Sequence, residues 1–273
     1  MKERSLVLFT LLAQLAVGLF VLTGLFHGLP STGVPHPGFV LVPPLALLAM
    51  LTSFLHLGTP INAWRAISNL RTSWLSREIL FMGLFSGLSS LLTLFLWLGW
   101  GSEALQRALG WLTVLAGLAL VYCMARIYML RSLPPWHTWL TLASFYASAF
   151  LLGGLALAAI DTGLGSRGFA MGLAALLLLS IQALITIHWA RHQMRPVRHL
   201  ALKAAYQRPF PRSTHLAALP ALRLGLGVGG VALFLLAIPA YGSVNIGLLL
   251  WPAFLITLAG EAIGRCLFYN ILE

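Results

Sequence analysis

Six ionisable residues stand at the ends of long apolar runs or inside them: His56, Glu78, Arg126, His188, Glu261 and Arg265. Polar groups at membrane depth are expensive, so each is a functional candidate by default. His56 closes an apolar run in Phe54-Leu55-His56-Leu57-Gly58-Thr59-Pro60. The partial negative charge of a helix C-terminus favours protonated imidazole, so a His here accepts a proton near neutral pH. The same position also suits a plain interfacial His bonded to the last helical carbonyls. Glu78 opens the next run, in Ser73-Trp74-Leu75-Ser76-Arg77-Glu78-Ile79. A first-turn acid is favoured by the helix dipole, with Ser76 as its N-cap; the alternative is a proton acceptor. The connection between the two runs is short, which puts His56 and Glu78 on one side at similar depth. Such a pair beside a lipid-accessible groove has a definite use. It takes up the two hydroxyl protons of a quinol as two electrons leave.

Arg126 and Tyr128 end a third run, in Cys123-Met124-Ala125-Arg126-Ile127-Tyr128-Met129. Snorkelling to the headgroups accounts for Arg131. Arg126 sits one turn deeper and is placed to hydrogen-bond a quinone carbonyl or to pair with an acid. Glu261 and Arg265 have the i, i+4 spacing of an intrahelical ion pair, which neutralises both inside the last run.

The elements that must position these groups are membrane helices. The chain has 273 residues, 59% hydrophobic and only 8% charged. Ordinary soluble domains carry about 25% charged residues. That balance excludes a soluble enzyme, a disordered chain and a nucleic-acid binder, despite a net charge of +11. Apolar runs of the length a helical span needs, about 20 residues, fall at roughly 5–27, 39–57, 78–99, 105–127, 137–160, 168–190, 220–240 and 246–268. The runs are continuously apolar rather than alternating, so they read as helices and not as barrel strands. The expectation is an all-α polytopic protein: eight transmembrane helices in one bundle, 1–273 as a single membrane domain, both termini on one side. The first run is too long for a signal-peptide core and is read as a retained helix.

Of 17 Lys and Arg, only Arg107 and Arg167 fall on the side away from the N-terminus. The positive-inside rule therefore puts both termini, and the His56/Glu78 side, in the cytoplasm of a bacterial inner membrane. Trp97, Trp100 and Trp111 mark the weakly charged interface. Small-xxx-small pairs at Gly24/Gly28, Gly83/Gly87, Gly168/Gly172, Gly225/Gly229 and Gly260/Gly264 permit close helix packing. The longest stretch between spans, 191–219, is basic and interrupted by Pro. It suits anionic lipid or a protein partner.

No His lies in mid-span; only His56 and His188 end spans on the same side, so at most one b-type haem has a pair of ligands there. Cys123 and Cys266 both lie in apolar runs, which excludes a disulfide framework and Cys-ligated zinc or iron–sulfur centres. The basic stretch lacks the carboxylates or thiolates that a metal would want beside His192, His199 and His215, so no metal site is expected. Three rival readings remain on the residues alone: a small secondary transporter, a single-haem b carrier and a scaffold without chemistry. A transporter predicts mid-membrane polar groups and broken helices; here the ionisable groups cluster at span ends.

The motifs resemble the membrane-anchor subunit of the dimethyl sulfoxide reductase family of molybdenum enzymes. The resemblance rests on His56-Leu57-Gly58-Thr59-Pro60, Ala63-Trp64-Arg65-Ala66 with Asn69, Leu75-Ser76-Arg77-Glu78-Ile79 and Arg126-Ile127-Tyr128 with Pro135-Trp136. A weaker match is Gly264-Arg265-Cys266-Leu267-Phe268-Tyr269. It implies an anchor without haem that binds and oxidises menaquinol. Electrons pass to a ferredoxin-like iron–sulfur subunit, which feeds a molybdopterin catalytic subunit. The family's quinol-site His matches His56 and its functional acid matches Glu78. Arg126, Tyr128, Arg65 and Ser76 complete the quinol-binding set that the resemblance implies. Replacing His56 or Glu78 is expected to stop quinol oxidation.

Overall fold

The computed structural model describes residues 2–29, 35–54, 69–129, 137–161, 166–193, 214–240 and 246–270. Among them there is no strand. The helices are α1 (Lys2–His27), α2 (Pro37–Val40), α3 (Val42–Phe54), α4 (Trp74–Leu98), α5 (Glu103–Tyr128), α6 (Trp139–Ile160), α7 (Ser166–Gln193), α8 (Thr214–Ala237) and α9 (Gly247–Asn270). A short 3-10 turn, Ile238–Ala240, follows α8. Among the described residues, six helices are long and apolar enough to cross a membrane. Two shorter apolar stretches, Pro37–Ser53 and Ala174–Ile187, lie in the second and sixth runs. The eight-helix, all-α expectation holds.

The helices form two groups. One holds α1, α3, α4 and α5; the other holds α6, α7, α8 and α9; α1 against α6 joins them. These two central helices are each 72% buried along their most apolar stretch, whereas α4 and α8 are each 28% buried. The outer helices show Trp97, Trp111, Leu177 and Leu248 to the surroundings, and the end of α1 shows Leu25, the apolar exterior that lipid covers and water does not favour.

Glycine makes the central contact possible, at positions the small-xxx-small pairs did not name. A Cβ on Gly18 would overlap the Ala149 carbonyl oxygen, and one on Gly153 would overlap the backbone of Gly18 and Leu19. Neither backbone could approach so closely with a side chain between them. Gly260 and Gly264 do seat a neighbour, α8 at Arg223, but Gly83, Gly87, Gly225 and Gly229 have no neighbour within 4 Å for an added Cβ to meet.

Helix ends differ from the sequence expectation at two places. The N-cap of α4 is Ser73, whose Oγ accepts from Ser76 N–H at 3.2 Å. The helix therefore starts one turn before the expected Ser76 cap, and Glu78 sits in its second turn. Pro220 lies inside α8 and not at its start. The stretch read as a loop over 191–219 is helical over its described ends, with α7 running to Gln193 and α8 starting at Thr214. Polar residues do not themselves stop a helix, and a proline near its start is tolerated.

At the weakly charged face His36 precedes α2 and caps it: Gly38 N–H donates to His36 Nδ1 at 3.0 Å. Burial, reinforced by neighbouring His27, holds the His36 imidazole below its ordinary pKa against the opposing pull of Asp161.

Candidate functional site

The candidate site is built on the start of α4 and the end of α5. Trp74 and Glu78 are four apart on α4, and Tyr122 and Arg126 are four apart on α5, so each pair shares a helix face. The two faces meet. Trp74 and Tyr122 pack edge to face with centroids 5.7 Å apart. The Arg126 guanidinium lies over the Trp74 ring at 4.7 Å and reaches Tyr122 at 5.8 Å. The Arg77 guanidinium covers Trp74 at 4.1 Å. Trp74 is thus held between two cations, an arrangement favoured by the ring quadrupole. Arg77 is fixed in turn by donating to the carbonyls of Leu70 and Arg71, each at 2.8 Å.

Glu78 is buried, at 7% exposure. Among the described residues it makes no ion pair, and it lies within electrostatic reach of Cys123, Tyr128 and Tyr269. The first-turn dipole account of this acid fails, because Ser73 starts the helix earlier. Among the described residues, Arg126 Nε is buried with no hydrogen-bond partner. A buried donor without an acceptor is costly. Ser76 is buried one turn before the α4 face continues inward.

Tyr128 turns the other way. Its ring packs against Phe145, Phe268 and Tyr269 at 5.9, 5.3 and 5.3 Å, and it shares a hydrogen bond with Tyr269. The structure therefore brings Glu78 and Arg126 to one wall and puts Tyr128 behind it, in contact with the second helix group. His56 and Arg65 lie outside the described residues, as does the side chain of His188. Trp74 and Tyr122 are wall residues that the sequence reading missed. Their i, i+4 spacing to Glu78 and Arg126 is the signal that could have found them.

Glu261 and Arg265 do not form the simple pair that their spacing suggested. The carboxylate of Glu261 lies 3.6 Å from Arg223 Nη2, on α8. It also accepts from Ser148 Oγ at 2.6 Å and Gln182 Nε2 at 3.3 Å. Arg265 donates instead to Gln14 Oε1 at 3.0 Å and Ser148 Oγ at 3.2 Å, with its guanidinium 3.8 Å from the Phe145 ring centre. Arg223, which the sequence reading counted only among the basic residues, is buried at 6% and fills the space left by Gly264. This network ties α1, α6, α7, α8 and α9 together.

The family model described as "DMSO reductase anchor subunit (DmsC)" matches residues 1–271. A component of the anaerobic dimethyl sulfoxide reductase of Haemophilus influenzae is 30% identical over 286 residues, which cover 98% of this sequence and 94% of the relative. A component of the Escherichia coli anaerobic dimethyl sulfoxide reductase is 28% identical over 226 residues, 82% of this sequence and 77% of that one. A component of the sulfite dehydrogenase of Allochromatium vinosum is 40% identical over 128 residues, 41% of this sequence and 39% of the relative. No solved structure matches.

Proposed function

Because the chain belongs to the DMSO reductase anchor subunit family, a multi-pass membrane anchor of a molybdoenzyme complex, we propose that it is also the quinol-oxidising subunit of that complex. Menaquinol enters from the bilayer beside α4, whose most apolar stretch is 28% buried against 72% for α1 and 61% for α5. The quinol ring lies against the wall of Trp74, Glu78 and Arg126. Arg126 Nε donates to one ring oxygen. His56 accepts a hydroxyl hydrogen bond and then a proton; Glu78 accepts or relays the second proton. Tyr128, beside Tyr269, sets the back of the site, and Arg65 and Ser76 complete the quinol-binding set. Oxidation of one quinol releases two electrons and two protons. The electrons leave to an iron–sulfur subunit docked on the basic face, which serves a molybdopterin subunit.

The observation that carries this reading is the unpartnered Nε of Arg126, buried on the face shared with Trp74 and a buried carboxylate. A ring oxygen is the acceptor that such a donor lacks. Relatives from both a reductase and a dehydrogenase fit a site whose direction of flow is set by the partner. The test is to replace His56 with Arg and Glu78 with Lys, separately. Both variants should assemble with the other subunits and lose quinol oxidation. Full quinol-linked activity in either would remove that residue from the site.

A further inference from the structure

His27, His36 and Asp161 come from three separate segments of the sequence and converge at the weakly charged face. His27 ends α1, His36 precedes α2, and Asp161 is the residue after α6. Asp161 Oδ2 lies 2.8 Å from His27 Nε2 and 3.5 Å from His36 Nε2. The two imidazoles stack with centroids 4.1 Å apart and planes inclined by 22°. One ligand atom from each residue lies within 4.8 Å of the other two. The three side chains are 17–23% exposed, so an ion can reach them without unfolding anything.

We propose that His27, His36 and Asp161 form a binding site for a divalent transition-metal ion of the zinc class. Two imidazole nitrogens with one carboxylate oxygen are a ligand set that suits zinc, whereas calcium and magnesium prefer oxygen ligands. Zinc bonds of about 2.0–2.1 Å in tetrahedral geometry hold neighbouring ligand atoms about 3.4 Å apart. The observed separations bracket that spacing, so small side-chain rotations complete the set. An ordinary hydrogen-bonded pair needs one His for one carboxylate. Here both Nε2 atoms face one carboxylate oxygen, so the three donor atoms share one small space that an ion can enter once it displaces the Nε2 hydrogens. The fourth position is open to water.

Metal binding has one structural consequence. Gly38 N–H donates to His36 Nδ1, so the neutral ring carries its hydrogen on Nε2. Coordination through Nε2 moves that hydrogen to Nδ1 and releases the cap bond from Gly38. The ion then ties α1, the entry to α2 and the end of α6 together.

The experiment uses the full-length protein in detergent, stripped with chelator and titrated with Zn2+ against a chromophoric competitor. The wild type is expected to take one tight equivalent above a weak background from its other histidines. His27→Ala, His36→Ala and Asp161→Asn should each weaken that equivalent at least tenfold, while a His192→Ala/His199→Ala double variant keeps it. X-ray absorption on the zinc-loaded wild type should show two imidazoles in a nitrogen and oxygen shell. A wild type that takes no tight zinc, an equivalent untouched by the three substitutions, or a shell with no imidazole or more than two would overturn the site.

Discussion

At the scale of residues, two buried acids lie in the described spans, Glu78 and Glu261, and their surroundings assign them different work. Glu261 is held by Arg223, Ser148 and Gln182. It balances two guanidiniums, and its loss would leave Arg223 and Arg265 facing each other unneutralised. Breaking a buried pair by removing one partner costs about 3–5 kcal/mol. Glu261→Gln should therefore destabilise the folded protein by roughly that amount and more than Arg223→Gln, which leaves Arg265 beside the carboxylate; thermal unfolding in detergent ranks the two. Glu78 has no such balancing partner among the described residues, and Arg126, on the same wall, lies over the Trp74 ring with its Nε unpartnered among those residues. A hydrogen bond involving a charged group contributes about 1.5–3 kcal/mol, or roughly 10–100-fold in binding. Arg126→Gln is accordingly expected to raise the KM for quinol by about that factor, read by steady-state kinetics, with little effect on the amount of assembled complex.

At the scale of elements, α1 and α6 carry the fold, because their backbones meet at Gly18 and Gly153. Gly153→Leu should prevent this approach and abolish accumulation of the folded protein, whereas Gly83→Ala, which meets nothing within 4 Å, should accumulate normally; immunoblots of membranes distinguish them. The helices were legible in the sequence because continuous apolar runs have only one way to satisfy their backbone in lipid. Their ends were less legible. Ser73 and Ser76 are equally good caps by type, and only the packing of Trp74 against Tyr122 and two arginines favours the earlier start. Glycine spacing alone did not separate lipid-facing pairs such as Gly83/Gly87 from the working contact, since Gly18 and Gly153 meet across helices and share no motif. Arg223 was counted only among the basic residues, because Pro220 and the basic stretch stand beside it; its burial depends on α8 meeting α9 at Gly264, a contact that the Gly260/Gly264 spacing permits without naming the partner. Glu78 and Arg126 were legible as candidates because ionisable groups are so rare in this composition, but the wall that joins them depends on how α4 meets α5.

At the scale of the whole molecule, two helix groups meet along α1 and α6, and the chemistry is distributed by face. The N-terminal side carries the candidate quinol wall, and the sequence assigns most of the Lys and Arg to it, a charge bias suited to docking an acidic partner as well as to the positive-inside rule; Arg223 and Arg265 are instead buried among the helices. The opposite face carries the stacked His27 and His36 with Asp161. If quinol is oxidised at the Glu78 wall, the rest of the complex depends on this subunit for that step alone. The decisive assay takes the purified complex of the Glu78→Gln variant and supplies two electron donors in turn. One is a menaquinol analogue; the other is a reduced viologen, which bypasses the membrane subunit. Loss of a proton acceptor costs about 10²–10⁴-fold in rate, so the quinol-driven turnover should fall by that much while the viologen-driven turnover stays at the wild-type level. Wild-type quinol turnover in this variant, or an equal fall with both donors, would mean that Glu78 has no part in quinol oxidation.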